Sequence, residues 1–271
     1  MSVTAHTPRV FIVAAIVGAL AGAPALAADK TKHGYLPSDS FDIRAVLPVA
    51  PTPGDPRYDA DRAIFKNTRS LIGSPRWNLA TNDVKTGSGD LMADFSCTVG
   101  VALTPQNAPR LKALAETAGR DTGRSSRIAK DYFRRLRPFQ IDDGATCQPK
   151  EELANSFDYP SGHATWGWTW ALILAELVPD KATAILARGR AYGESRIVCG
   201  VHNASAVQYG YLTASATLAA VRASAKYRAD FAAARKELAV LRKKGRVPNA
   251  TTCQAEADLV AQDIYHAVTP Q

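Results

Sequence analysis

Two histidines, four arginines and a lysine fall in three short segments, and each segment carries a proline or glycine that interrupts a helix. The first is "KDYFRRLRP", residues 130–138. On a helix, Lys130 and Arg137 would stand about 20° apart in azimuth and about 10 Å apart in height, pointing the same way. Two cations on one face need either solvent or an anion, and Pro138 disfavours helix at Arg137. The second segment, "DYPSGHATWGW" (158–168), reads as a turn followed at once by an apolar helix. The backbone N–H groups of Ser161, Gly162 and His163 therefore stand at or beside an open helix N-terminus. Such a terminus binds phosphate through its orphan donors and the helix dipole. Gly162 permits close backbone approach, and His163 would lie beside the anion as its proton donor. In the third segment, "SRIVCGVHNASA" (195–206), Arg196 follows a helix expected to end near Glu194, Gly200 breaks the backbone, and His202 starts the next helix. Arginine is a natural bidentate phosphate ligand, and a neutral imidazole is competent to attack phosphorus.

Taken singly, each segment also fits a structural role: a solvated basic pair, a helix cap, a packed imidazole. Taken together, three cations, backbone donors and two histidines form the inventory of phosphoryl transfer, where catalysis is mostly positioning plus charge stabilisation. That chemistry requires no metal, and the sequence offers no clustered Asp/His ligand set for one; no cofactor is expected.

The elements that must position these groups are helical almost throughout. Residues 58–72 show the 3.6-residue period. Thr104 and Pro105 read as the cap and first turn of "TPQNAPRLKALAETAG", and Asp180 precedes a helix in "VPDKATAILARGRAYG". Residues 203–225 are rich in Ala, Leu and aromatics, and 227–244 is amphipathic with Gly245 as its stop. The expectation is an all-α, single-domain bundle over residues 58–271. Ahead of it, the proline-rich "LPVAPTPGDPR" makes 28–57 an extended leader rather than a core element.

The first 27 residues carry Arg9, an apolar run from Val10 and the small-residue site Ala25-x-Ala27, which describes a cleavable secretory signal. No later segment reaches the 18 or more apolar residues of a membrane span. The remaining roughly 240 residues suit one large core, in a periplasmic protein. Cys97, Cys147, Cys199 and Cys253 have no CxxC spacing, and their even number in an oxidising compartment favours two disulfides. Three connectivities are open; pairing in chain order, Cys97 with Cys147 and Cys199 with Cys253, is the working expectation. The net charge of +8 draws on "ARKELAVLRKKGR" (234–246), read as a solvated helix face; no nucleic-acid signature accompanies it.

Lys130-x6-Arg137-Pro138, then Pro160-Ser161-Gly162-His163, then Ser195-Arg196-x5-His202 resembles the three-part signature of the phosphatidic acid phosphatase type 2 (PAP2) superfamily. Flanking text such as "PRWNLATND" and "LARGRAYGESRIVCGVH" is similar to that of the bacterial class A nonspecific acid phosphatases within it. The resemblance implies the helical fold shared with vanadium haloperoxidases and metal-independent hydrolysis of small phosphomonoesters, with inorganic phosphate as product. It also implies His202 as nucleophile, His163 as acid to the leaving alcohol, and Lys130, Arg137, Ser161, Gly162 and Arg196 as holders of the phosphoryl oxygens. Homo-oligomers are usual in that family, and the sequence leaves the oligomeric state open.

One position departs. The family's third motif continues His-x3-Asp, and here it reads His202-Asn203-Ala204-Ser205-Ala206. The expected aspartate fixes the tautomer of the nucleophile, and its loss is worth about 1.4–5.5 kcal/mol of transition-state support by analogy with serine-protease and metal-site histidines. Asn203 stands where close relatives usually have tryptophan, and Gln208 where a second acid is common. Three readings follow: a phosphatase in which another group replaces the aspartate, a catalytically impaired phosphate-binding homologue, or a vanadium-dependent haloperoxidase.

Overall fold

The structure, a computed structural model, describes residues 1–3 and 33–265. Apart from 1–3, the expected signal segment lies outside the described residues. The chain divides into two units, Met1–Thr31 and Lys32–Gln271, and every element below belongs to the second. Helices α1 (Pro56–Thr68), α2 (Pro75–Asn82), α3 (Ser88–Val99), α4 (Pro109–Phe133), α5 (Gly162–Leu177), α6 (Ala182–Val198), α7 (Ala204–Val221), α8 (Ala225–Lys244) and α9 (Ala250–Ala261) follow in order, and no strand occurs among the described residues. The all-α expectation holds.

Local sequence explains most boundaries. Asp55 and Ser74 cap α1 and α2 with a proline in each first turn, their side chains accepting from the N–H groups of Arg57 (2.9 Å) and Trp77 (3.2 Å). Gly100 closes α3 in the left-handed region at φ 81°. Helix α5 is the central post, packed against α4, α6 and α7. Its Trp170, Ile173, Leu174 and Leu177 are buried, each worth about 1.5–3 kcal/mol relative to exposure. Gly167 lets α6 close on it: a Cβ there would come within 2.2 Å of the Tyr192 ring. Among the described residues no helix is long and apolar enough to cross a membrane.

Several boundaries differ from the sequence reading. The stretch 33–55 is not a leader: Tyr35, Ile43, Leu47 and Ala50 are buried, and the Tyr35 N–H donates to Asp121 of α4 at 2.6 Å. Its spaced apolar residues find a surface on α4 and α7 that composition alone does not reveal. Helix α4 begins at Pro109, because Thr104 and Asn107 close a separate turn on each other. It ends at Phe133, where Arg134 takes the left-handed conformation at φ 50°. Arg137 is therefore extended and off the helix, so the shared helical face predicted for Lys130 and Arg137 does not exist. Helix α6 continues through Arg196 to Val198, and His202 lies in the turn before α7, whose cap is Asn203.

The cysteine pairing in chain order is overturned: the disulfides are Cys97–Cys253 and Cys147–Cys199. The Cys147 N–H donates to the Cys199 carbonyl at 3.1 Å, so the chain after the first motif lies along the end of α6. Cys97, in the last turn of α3, meets Cys253 of α9 instead, both helices packing on α6.

Candidate active site

The N-terminus of α5 leaves two of its four orphan N–H groups open. The Ser161 hydroxyl accepts from Ala164 N–H at 3.2 Å, and Ser161 N–H donates across to the Ala206 carbonyl at 2.8 Å. Gly162 and His163 keep the remaining donors. The Ser161 amide, expected to face an anion, is thus committed to holding α7 against α5, and its hydroxyl hydrogen is what remains of it. Gly210 permits that approach, since a Cβ there would sit 2.7 Å from the Ser161 carbonyl. Gly162 in turn faces α4, its Cβ direction leading to Ser126 Oγ at 3.3 Å and Lys130 Cε at 3.8 Å.

Three cations converge on this terminus. Arg137, 3% exposed, is fixed by the Val201 carbonyl (2.7 Å), the Ser156 carbonyl (2.7 Å) and the Ser156 hydroxyl (3.1 Å). Arg196, 2% exposed, gives one Nη to Gln148 Oε1 at 2.6 Å, while its Nε and other Nη are buried without a partner. Buried donors without acceptors are rare and costly, and two on one guanidinium describe a fork awaiting an anion. Lys130 donates to the carbonyls of Phe157 and Asp158. Burial, with Arg137 nearby, pushes its ammonium down to about 7, a tension that an anion relieves.

The two histidines differ in their partners. His202 Nε2 lies 3.1 Å from an Arg137 Nη. A guanidinium only donates, so Nε2 carries the lone pair. The proton is then on Nδ1, which lies 2.8 Å from Asp158 Oδ1. Asp158 also accepts from the Asn203 backbone N–H (3.2 Å) and from Asn203 Nδ2 on its other oxygen (2.8 Å), with Arg135 at 3.6 Å. Burial pushes Asp158 upward, and Arg135, Asn203, Arg137 and Lys130 pull it back. His202 is held well below its usual range by burial and by Arg137, Lys130 and Arg196, so its neutral, nucleophilic form persists into acid.

His163 directs Nε2 at the Asp83 backbone carbonyl and stacks on Tyr192, ring centroids 4.7 Å apart. Asp83 is itself braced by Arg188 (2.7 and 3.2 Å) and the Ser195 hydroxyl (2.6 Å). With Nε2–H donated to a carbonyl, Nδ1 is the nitrogen left to take up or give a proton. Burial and Arg196 hold His163 well below the usual histidine range.

The sequence-derived residues Lys130, Arg137, Ser161, Gly162, His163, Arg196 and His202 thus gather around one helix terminus. Sequence reasoning missed Asp158, Asn203 as its partner, Gln148 and Ser156 as braces of the arginines, and the carbonyl of Asp83. For Asp158 a signal existed: it stands three residues before Ser161, in a turn read only for its backbone.

The PAP2 superfamily model matches residues 114–230. The chain is similar to a protein of Zymomonas mobilis named "Acid phosphatase", 43% identical over 216 residues that cover 78% of this chain and 80% of that protein. It is also similar to proteins named "Non-specific acid phosphatase" from Providencia stuartii (32% over 209 residues, 76% of this chain and 84% of the relative) and Salmonella typhimurium (31% over 217 residues, 78% and 86%).

Proposed function

The chain belongs to the PAP2 superfamily, and from that premise and the geometry of the site we propose that it is an acid phosphatase acting on phosphomonoesters through a phosphohistidine. The observation that carries this reading is the buried His202, whose Nε2 lone pair lies 3.1 Å from Arg137, set beside two buried donors on Arg196 that have no protein partner. Phosphoryl oxygens satisfy such donors, and the lone pair faces the phosphorus they hold. Nε2 attacks phosphorus, the P–O ester bond breaks, and the leaving oxygen takes the proton of protonated His163. Water then attacks the phosphorus, the N–P bond breaks, and His163 recovers a proton from that water. A silent phosphate-binding role rests mainly on Ala206, and the carboxylate of Asp158 at His202 Nδ1 favours turnover over it. The two disulfides suit an oxidising compartment outside the cytosol, in keeping with export through the N-terminal segment.

The proposal fixes the sign of the pH dependence. His163 must be protonated to act, and its depressed range makes the protonated fraction grow as pH falls below about 6.5. His202 must be neutral, and its own depression delays its protonation as pH falls. kcat/KM on a simple aryl phosphate is therefore expected to rise as pH falls below neutrality and to turn down once His202 is protonated. A rapid quench should trap an acid-labile, alkali-stable phosphoenzyme. Tight phosphate binding with no turnover at any pH would return the protein to a binding role.

The disulfides offer a separate check. Loop closure assigns about 4 kcal/mol to Cys147–Cys199 and about 5 kcal/mol to Cys97–Cys253, from separations of 52 and 156 residues. Only the first tethers the loop that carries Gln148 and Ser156, the braces of Arg196 and Arg137. Replacing either pair with serine is expected to lower Tm, and only loss of Cys147–Cys199 should also weaken phosphate binding, by about tenfold or more. Calorimetric titration of both variants checks this; equal phosphate affinities would show that the tether does not shape the cradle.

A further inference from the structure

We propose that Asp158 is the positioning residue for His202, supplying from the loop before α5 the carboxylate that position 206 lacks, and that Asn203 clamps it in place. The assignment rests on the phosphatase reading only for its kinetic consequence; the contacts that carry it belong to the chain itself. The Ser161 N–H to Ala206 carbonyl bond draws the two segments together, so a side chain from either can reach the turn that holds His202. Ala206 is fully buried in an apolar cluster with Tyr159, Ile43, Leu47, Ala50 and Ala129, and its methyl group can accept nothing. Asp158 has the acceptors instead. Its Oδ1 accepts from His202 Nδ1 and the Asn203 amide, and its Oδ2 from Asn203 Nδ2. Behind it, Arg135 approaches Oδ2 at 3.6 Å and is bound on its other side to Asp61 at 2.7 Å. Asp61 in turn accepts from the Ser205 N–H at 2.8 Å. The carboxylate is therefore braced from α1, from the loop after α4 and from α7 at once.

An amide fits this place poorly. If the oxygen of an asparagine at 158 faced His202 and the Asn203 N–H, its NH2 would face Arg135, donor against donor, and Asn203 would have to turn its own amide over to accept from it. If instead the amide at 158 were turned over, its NH2 would force His202 to accept at Nδ1, moving the proton to Nε2 and removing the lone pair from the nitrogen beside Arg137. Either arrangement costs turnover without touching the groups that would hold phosphate.

Two measurements test this. In the wild-type protein, long-range 1H–15N correlations of the histidine rings should show His202 protonated at Nδ1; protonation at Nε2 would overturn the assignment without any variant. In Asp158→Asn, kcat is expected to fall about 10²–10⁴-fold, with phosphate affinity within about threefold of wild type and the Nδ1–H signal of His202 lost or displaced. A kcat within about threefold of wild type, or a loss confined to phosphate affinity, would make Asp158 merely structural. Should the wild type turn over no phosphomonoester, the phosphatase reading fails, while the tautomer of His202 and its response to Asp158→Asn still decide the role of Asp158. If Asp158→Asn does not fold, the wild-type spectrum decides alone.

Discussion

His202→Ala is expected to lose at least about 10⁴-fold in kcat, on the scale seen when an enzyme's nucleophile is removed, while inorganic phosphate binds within about threefold of wild type. The two halves of the expectation follow from different atoms. Turnover needs the Nε2 lone pair, and the two arginines beside it, Arg137 and Arg196, are donors only. Binding needs the buried donors, and each keeps other anchors when Arg137 loses its contact with His202 Nε2. Arg137 keeps its bonds to Val201 and Ser156, and Arg196 keeps Gln148. The variant should also lose stability, because Asp158 Oδ1 is left with the Asn203 N–H alone; an under-satisfied buried acceptor costs about 1–3 kcal/mol. Single-turnover kinetics and phosphate titration measure the split. Wild-type-like turnover in the variant would remove His202 as nucleophile; parallel losses of turnover and phosphate affinity would make the histidine part of the cradle.

What could be read from the sequence was what short segments determine. Gly245 marks the stop of the amphipathic 227–244 stretch, and α8 does end at Lys244, because a helix breaker acts within one turn. The motif residues were legible for the same reason: Pro160-Ser161-Gly162-His163 builds its own turn and helix terminus. What escaped were pairings between segments far apart in the chain. His202 and Asp158 are 44 residues apart, Arg196 and Gln148 are 48 apart, and Cys97 and Cys253 are 156 apart. No period or local signal encodes such contacts. The alarm raised by Ala206 came from treating a motif as a string. The carboxylate beside Nδ1 comes from the turn before α5, 44 residues away in the chain. Arg137 teaches the converse lesson. Its seven-residue spacing from Lys130 suggests a common helix face, yet the two meet because Arg134 ends the helix and the chain doubles back.

Arg196→Met is expected to abolish most phosphate binding while leaving the free protein as stable as before or more so. In the free protein the Arg196 guanidinium is 2% exposed and has one accepted bond, to Gln148, with Nε and one Nη unsatisfied. Burial pushes this arginine down to about 10, the mark of a charge held where water would serve it better. Methionine of similar reach fills the space and removes that penalty, as when buried ion groups are exchanged for apolar ones. Bound phosphate reverses the balance, because the two orphan donors become charge-assisted bonds worth about 1.5–3 kcal/mol each. Losing both should weaken phosphate binding by about 10²–10⁴-fold. Arg196→Lys keeps the charge but offers a point rather than a fork, and is expected to fall between. Thermal unfolding with and without phosphate reads both effects in one experiment. The wild-type protein should gain the larger Tm increment from phosphate, and Arg196→Met should start no lower and gain almost nothing. If Arg196→Met is destabilised without ligand yet still stabilised by phosphate as wild type is, the fork holds the fold and not the anion. On the phosphatase reading, the empty site stores instability, and the two unsatisfied donors of Arg196 are part of that store.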